Sequence, residues 1–341
     1  MAHPQTYIAY RFEKAGAPLT RAELPWTEPK EGEVVVKVLA TGICASDSLV
    51  QGGGLLGGFP RVPGHEVVGD VAAVHPSVKD FKVGQRVGAG WQRGFCGKCK
   101  NCVSGKRMGC AELFQHGTGC THDGGLAQYM VVPTSGICHM PQDMDPAESA
   151  PLLCAGLTIY KAMTHNKVPE GSLVAVHGVG GLGHLAIQYS KAMGYRTVAI
   201  SSSSSKKELS LRLGADVYID ESTQDAVEEL QKLGGADMIV STAPTSAGAW
   251  KMLGGLAFEG KLVVVSLPTD VAPLSPSMLC AKRLTITGDL IGDADDCAET
   301  IAFSNKHGIK PTVEKFPLEK ANEAFDHRPK AFFRAVVLPW A

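Results

Sequence analysis

Apolar residues fall in short, valine-rich runs over the first part of the chain. Runs at residues 34–40, 67–74 and 128–132 sit between glycine- and proline-containing turns, which predicts the strands of a barrel-like or sandwich domain. From Thr158 the rhythm changes. A continuous apolar run at 173–177 leads into glycines and then into helical spacing over 185–193. A strand at 197–200, a helix at 207–213 and strands at 215–219, 238–241 and 262–265 carry the pattern on. Strand–helix alternation of this kind predicts a parallel, doubly wound sheet. After residues 284–288 the alternation weakens; 295–307 has helical spacing and 335–338 reads as a final strand. There is no internal repeat. The fold class expected is α/β, a β-rich domain joined to a doubly wound one.

Length and composition narrow this picture. A chain of 341 residues exceeds what one core organises, so two domains are expected. With 44% hydrophobic and 20% charged residues it can bury a large core. A formal net charge of -1 leaves no electrostatic footprint for nucleic acid or an anionic membrane. The opening MAHPQTYIAYRFEK has no apolar signal region, and no apolar run is long enough to span a bilayer, so a cytoplasmic location is expected. Ten cysteines there read as metal ligands and free thiols. Cys120, Cys138, Cys280 and Cys297 are assigned to the core or surface.

The densest chemistry lies in FCGKCKNCVSGKRMGC, where Cys96, Cys99, Cys102 and Cys110 are separated by two, two and seven residues. Thiolates this close converge on one tetrahedral ion without help from the rest of the fold. Four thiolates suit zinc and leave no position for substrate. The spacing matches neither common ferredoxin pattern. A second set is dispersed: Cys44 after the 34–40 strand, His65 before the next strand, and Cys154 ahead of the doubly wound part. Two thiolates and one imidazole with a fourth position open is the arrangement of a catalytic zinc.

A third motif follows the 173–177 run. Gly178, Gly180 and Gly183 fit G-x-G-x-x-G, with Val179, Gly181 and Leu182 between them. The first glycine permits the tight turn, the second lets a pyrophosphate approach the backbone, and the third lets helix pack on strand. A strand before, a helix after and a further strand beyond give the pattern the context it needs for a dinucleotide.

At this point the chain resembles the zinc-dependent alcohol dehydrogenases of the medium-chain dehydrogenase/reductase superfamily. The resemblance rests on C-x-S-D at Cys44, GHE at His65, the four-cysteine lobe, CAGLT at Cys154 and GVGGLG at Gly178, in that order. LLCAGLTIY and the serine/lysine segment are most similar to the cinnamyl alcohol dehydrogenase branch. The resemblance implies a GroES-like catalytic domain at 1–157 with a structural zinc lobe at 92–112. It implies a Rossmann domain at 158–289 and a return to the catalytic domain at 290–341. It implies Cys44, His65 and Cys154 as ligands of a catalytic zinc, with Glu66 able to enter the coordination sphere. Asp47 would orient the His65 ring and Ser46 would touch the substrate oxygen. Thr158 would pack against the nicotinamide and Arg334 would meet the pyrophosphate. Trp91, Leu55, Leu56 and Ile291 would line an apolar substrate pocket, with plain core packing the alternative for Trp91. A homodimer through the Rossmann sheet edge at 284–288 is expected, with a homotetramer as the other option.

Two departures from the family pattern stand out. Ala45 replaces the His or Arg that many members place against the cofactor phosphates. Leu49 replaces a histidine that ends their proton relay, and leucine cannot move a proton. The cofactor choice is written at the second Rossmann strand. A site for NAD places Asp or Glu at its end; here Ser201 and Ser202 stand there, with Lys206 and Lys207 following and no acid before Glu208. Serine hydroxyls donate to a 2′-phosphate and a lysine neutralises it, so NADP(H) is expected. The expected enzyme carries two zinc ions per chain. It transfers hydride between NADP(H) and an apolar or aromatic primary alcohol or aldehyde. Reduction of a conjugated C=C bond by a relay-deficient member is the alternative, and a non-catalytic cofactor-binding relative is a third, disfavoured by the complete ligand set.

Overall fold

The computed structural model describes residues 3–54, 57–328 and 333–341. The chain forms two compact units, Met1–Leu157 with Ile291–Ala341, and Thr158–Leu290.

The first unit is built on the strand Glu33–Gly42. It pairs antiparallel with Glu66–Val74, with Tyr129–Pro133 and with the late strand Arg334–Leu338. Its valines explain this centrality. Val34, Val36 and Val38 are buried together with Val67, Val71, Val87, Met130 and Val132 in one apolar cluster. β-branched side chains suit a pleated surface packed on both sides. The hairpin of Thr6–Phe12 and Leu19–Pro25 was not foreseen. Its second strand, LTRAELP, places the polar Thr20, Arg21 and Glu23 among a few apolar residues and ends in proline, and only Leu19 is buried, so it reads as loop. The helix Ala294–His307 begins at a capping box between Asp293 and Asp296 and ends at Gly308 in the left-handed region.

The second unit holds a six-stranded, all-parallel sheet. In order of appearance its strands are Leu173–His177, Arg196–Ser201, Val217–Asp220, Ala236–Ser241, Leu256–Val264 and Thr285–Gly288. They lie in the order 3-2-1-4-5-6 of a dinucleotide-binding sheet. Ala175, Val198, Ile200, Ile219, Ile239 and Leu262 form its buried apolar layer. The strand expected at 215–219 begins at Val217 instead. Gly214, at φ 110°, turns the chain, and the Asp216 carboxylate accepts the Thr197 N–H at 2.8 Å, which holds these residues in a turn. No helix among the described residues is long and apolar enough to cross a membrane.

Candidate active site

The register of two strands creates the site. Gly42, the last residue of one strand, pairs with Glu66, the first residue of the next. Cys44 therefore follows the same sheet end that His65 precedes. Cys154 arrives from the turn after the short helix Ala150–Leu153. The Sγ atoms of Cys44 and Cys154 lie 3.9 Å apart. One ligand atom from each of Cys44, His65, Glu66 and Cys154 falls within 4.8 Å of all the others. These four are thus brought together from three separate parts of the chain.

Asp47 fixes this arrangement from behind. It is fully buried, and its carboxylate accepts the N–H of Cys44 at 2.8 Å and of Gly64 at 3.3 Å. It also lies 3.4 Å from His65 Nδ1. A buried carboxylate persists only when hydrogen-bonded, so the three contacts hold it and it in turn holds the ring. His65 Nε2 then faces outward, 3.3 Å from the hydroxyl of Ser46.

Glu66 is completely buried, and neither carboxylate oxygen has a hydrogen-bond partner. Its compensation is Arg334, whose Nη2 lies 3.3 Å from Oε1. Gly42 leaves the space: a Cβ there would collide with Glu66 Oε2. Arg334 comes from the strand that pairs with Thr41 and Gly42, and also donates to the Ile43 carbonyl at 3.3 Å. The structure thus places Arg334 on Glu66 and the Cys44 segment.

The charge states follow from this crowding. Burial pushes the Glu66 carboxyl up to about 7, with Arg334 pulling the other way. The hydrogen bond from Cys154 draws the Cys44 thiol well below its ordinary value, while the same bond and burial push Cys154 well above. Burial would lower His65, but the facing Asp47 carboxylate lifts it well above its ordinary value. Two thiols at this distance ionise together only beside a cation, and a dication also satisfies the stranded Glu66 oxygens. The donor set of two sulfurs, one imidazole and one carboxylate suits zinc.

The four-cysteine lobe is separate and more open. All four cysteines are free, and their Sγ atoms lie within 4.8 Å of one another. Backbone N–H groups point at sulfur, from Cys99 to Cys96 at 3.4 Å and from Glu112 to Cys110 at 3.4 Å. The Ala111 N–H helps bring Cys99 down to about 6, whereas desolvation pushes Cys102 up to about 12. A closed set of four sulfurs fits a structural ion.

In the second unit the glycine loop follows Leu173–His177. Gly178 is at φ 92°, and a Cβ there would lie 2.5 Å from Thr242 Oγ1. A Cβ on Gly183 would collide with the Gly178 carbonyl, whereas Gly180 faces open space. The loop is thus tight at both ends and open in the middle, as a pyrophosphate needs. Thr242, missed in the sequence, holds the loop: its hydroxyl lies 3.0 Å from the carbonyls of His177 and Gly178. His177 sits between Ser241 Oγ at 3.1 Å and Glu221 at 3.5 Å.

The serine segment leans on the same loop. Lys206 Nζ donates to the Val179 carbonyl at 2.6 Å. Burial lowers its pKa, so a nearby anion would be welcome. Ser201 is buried at the strand end and bonds Tyr218, whose hydroxyl also donates to the Ser203 carbonyl. Ser202 is exposed. Asp220 lies beside Ser201 in register, and its Oδ1 accepts the N–H and the hydroxyl of Ser222.

The remaining candidates are placed as follows. Thr158 is buried in the helix Ala155–His165. Trp91 is buried with its ring edge-on to Phe114 at 5.9 Å. Ile291 is buried at φ 39°. Leu55 and Leu56 lie outside the described residues. Cys120, Cys138 and Cys297 are buried and Cys280 is exposed. Gly42, Thr242 and Tyr218 were not anticipated, because their roles come from neighbours that are remote in sequence.

Comparison with known proteins agrees with this geometry. Residues 30–142 match the alcohol dehydrogenase GroES-like domain and residues 181–306 the zinc-binding dehydrogenase family. The chain is 43% identical over 339 residues to alcohol dehydrogenase notN of Aspergillus sp., covering 99% of each chain. Two solved structures share the fold over nearly all of both chains. CAD from Helicobacter pylori, complexed with NADP(H), is 28% identical with a TM-score of 0.87, covering 97% of each chain. Acetophenone reductase from Geotrichum candidum, in complex with NAD, is 27% identical with a TM-score of 0.86, covering 100% of this chain and 99% of that one.

Proposed function

The chain belongs to the zinc-dependent medium-chain alcohol dehydrogenase family, and we propose that it is an NADP(H)-linked alcohol dehydrogenase working as an aldehyde reductase on apolar or aromatic primary alcohol/aldehyde pairs. The observation that carries this reading is the convergence of Cys44, His65 and Cys154 with the Ser46 hydroxyl beside them. Cys44 Sγ, His65 Nε2 and Cys154 Sγ would hold a catalytic zinc, with Glu66 able to exchange in. Cys96, Cys99, Cys102 and Cys110 would hold a second, structural zinc. The bound cofactor and zinc would supply hydride and Lewis acidity.

The chain's own part is positioning and proton traffic. Asp47 holds the His65 ring so that Nε2 faces the site. Ser46 donates its proton to the substrate oxygen during aldehyde reduction and takes one back from solvent. Leu49 cannot relay that proton, but it is 38% exposed, so water reaches the turn that carries Ser46. Trp91 and Ile291 are assigned to the apolar substrate wall. Gly180 leaves room for the pyrophosphate, and Thr158 packs against the nicotinamide.

NADP(H) preference rests on Ser202 and Lys206, with Ser201 braced by Tyr218. Charge-assisted hydrogen bonds contribute about 1.5–3 kcal/mol each, so two favour NADP(H) by about two orders of magnitude or more. The test is kcat/KM with NADPH and NADH on one aldehyde. Equal values, or a preference for NADH, defeat the assignment. Ser201→Asp with Lys206→Ala should move the preference towards NADH.

The second reading, reduction of a conjugated C=C bond, is favoured by Leu49 alone. A panel of saturated aldehydes and enals with product analysis separates the two. Saturated aldehyde from an enal, without alcohol, would replace the first reading. We assign the enzyme to the cytoplasm as a homodimer through the sheet-edge strand Thr285–Gly288, which among the described residues pairs only with Leu256–Val264. A monomer in sedimentation would remove that interface.

A further inference from the structure

In the first unit, away from the cysteine–histidine cluster, a cavity of about 350 Å³ opens beside two arginines, Arg61 and Arg93. Arg93 is only 7% exposed. Among the described residues its guanidinium makes one hydrogen bond, a long one of 3.4 Å to the Val131 carbonyl, and no carboxylate lies within ion-pair distance. Arg61 is paired through Nη1 to Asp123 at 2.8 Å, but its Nε is buried with no partner. Burying a guanidinium without a matching acceptor is costly. The two guanidiniums also repel each other, and burial with help from Arg61 brings Arg93 down to about 10 against the opposing pull of Glu33 and Asp123.

The acids nearby are already engaged. Asp123 accepts from Arg61 and from the Val62 N–H, and Glu33 accepts from the Lys30 N–H. Three cations, Lys30, Arg61 and Arg93, face two acids, Glu33 and Asp123, so the lining carries one net positive charge. His122 adds none, since burial and Arg93 push it down to about 4. Most of the remaining wall is apolar or aromatic, with Leu24, Val62, Ala127, Met130 and the rings of Tyr7 and Tyr129, and Thr27 and Thr121 add two hydroxyls.

We propose that this cavity is a binding site for a small apolar monocarboxylate, held by Arg93 and Arg61 with its hydrocarbon part against Tyr7 and Tyr129. A planar carboxylate matches the guanidinium fork and supplies acceptors for Arg93 and for the unpartnered Nε of Arg61. One negative charge neutralises the lining, whereas a phosphate dianion would leave excess negative charge beside Glu33 and Asp123. The volume falls in the range of small-ligand sites.

The test uses the zinc-loaded full-length enzyme with para-fluorobenzoate and, separately, inorganic phosphate, followed by fluorine NMR and calorimetry. Para-fluorobenzoate should bind the unmutated protein, and Arg93→Met should weaken it about 10- to 100-fold, the loss expected for one or two charge-assisted hydrogen bonds. Arg61→Gln, at a more exposed position, should weaken it in the same direction and guards against a folding defect in the first variant. Neither substitution touches the cysteine–histidine cluster, so any carboxylate bound there stays bound in both. Three outcomes overturn the proposal: no binding to the unmutated protein, binding unchanged in both variants, or tighter binding of phosphate than of para-fluorobenzoate.

Discussion

Cys96, Cys99, Cys102 and Cys110 come from one loop and stay partly exposed, except for Cys110. Cys44, His65 and Cys154 come from two strand ends and a distant turn, and they sit among fully buried acids. Both clusters bring sulfur atoms to similar separations, 3.9 Å between Cys44 and Cys154 and 3.9 Å between Cys96 and Cys102. The local cluster needs only backbone N–H groups around its sulfurs, because solvent shares the charge. The dispersed cluster must answer every charge from within: Asp47 for His65, Arg334 for Glu66 and Cys44, and Gly42 for the space. A site that closes around four thiolates stabilises a lobe. A site that gathers three ligands and a hydroxyl is arranged to act on something else.

The comparison breaks most sharply at Cys154. Cys154→Ser should leave the protein folded and one zinc per chain bound, while kcat/KM on an aldehyde falls about 10³-fold, since a Lewis acid contributes several kcal/mol. Elemental analysis of the unmutated enzyme should give two zinc ions per chain; a value of one would remove the two-site reading. Cys99→Ser should do the reverse. The lobe loses its cross-link, so soluble yield and protease resistance should drop while the folded fraction keeps most of its turnover. If Cys99→Ser abolished turnover in intact, folded protein, the division of labour between the clusters would be wrong.

Two smaller effects sharpen the same contrast. Ser46→Ala should cost about 10²-fold or more in carbonyl reduction with NADPH affinity nearly unchanged, because the hydroxyl serves only the proton. Near-normal reduction would dismiss Ser46 from that role. Asp47→Asn should cost about 10- to 100-fold in zinc affinity at the dispersed site and nothing at the lobe. Competition with a chelator, read separately for the two ions, measures this; equal loss at both sites would contradict the role given to Asp47.

The unaided sequence carried the four-cysteine lobe, the glycine loop and the doubly wound alternation, because each is written in neighbours or in a short period. The valines of residues 34–40 and the glycines at 178, 180 and 183 act within a few residues of themselves, so spacing alone reveals them. C-x-S-D, GHE and the cysteine of CAGLT were legible as scattered fragments, grouped by the chemistry of their ligands and by resemblance. Their meeting depends on the register of Gly42 against Glu66. That pairing, set by strands more than twenty residues apart, decided that Glu66 would be buried and that Gly42 had to lack a side chain. It also decided that Arg334, from the far end of the chain, would face Glu66. The hairpin Thr6–Phe12 with Leu19–Pro25 stayed hidden because its exposed second strand lacks an apolar face. Arg61 and Arg93 gave no signal either, since a surface arginine and a buried one look alike in sequence. Burial and charge neutralisation are properties of packed neighbours, and only the tertiary structure brings those neighbours together.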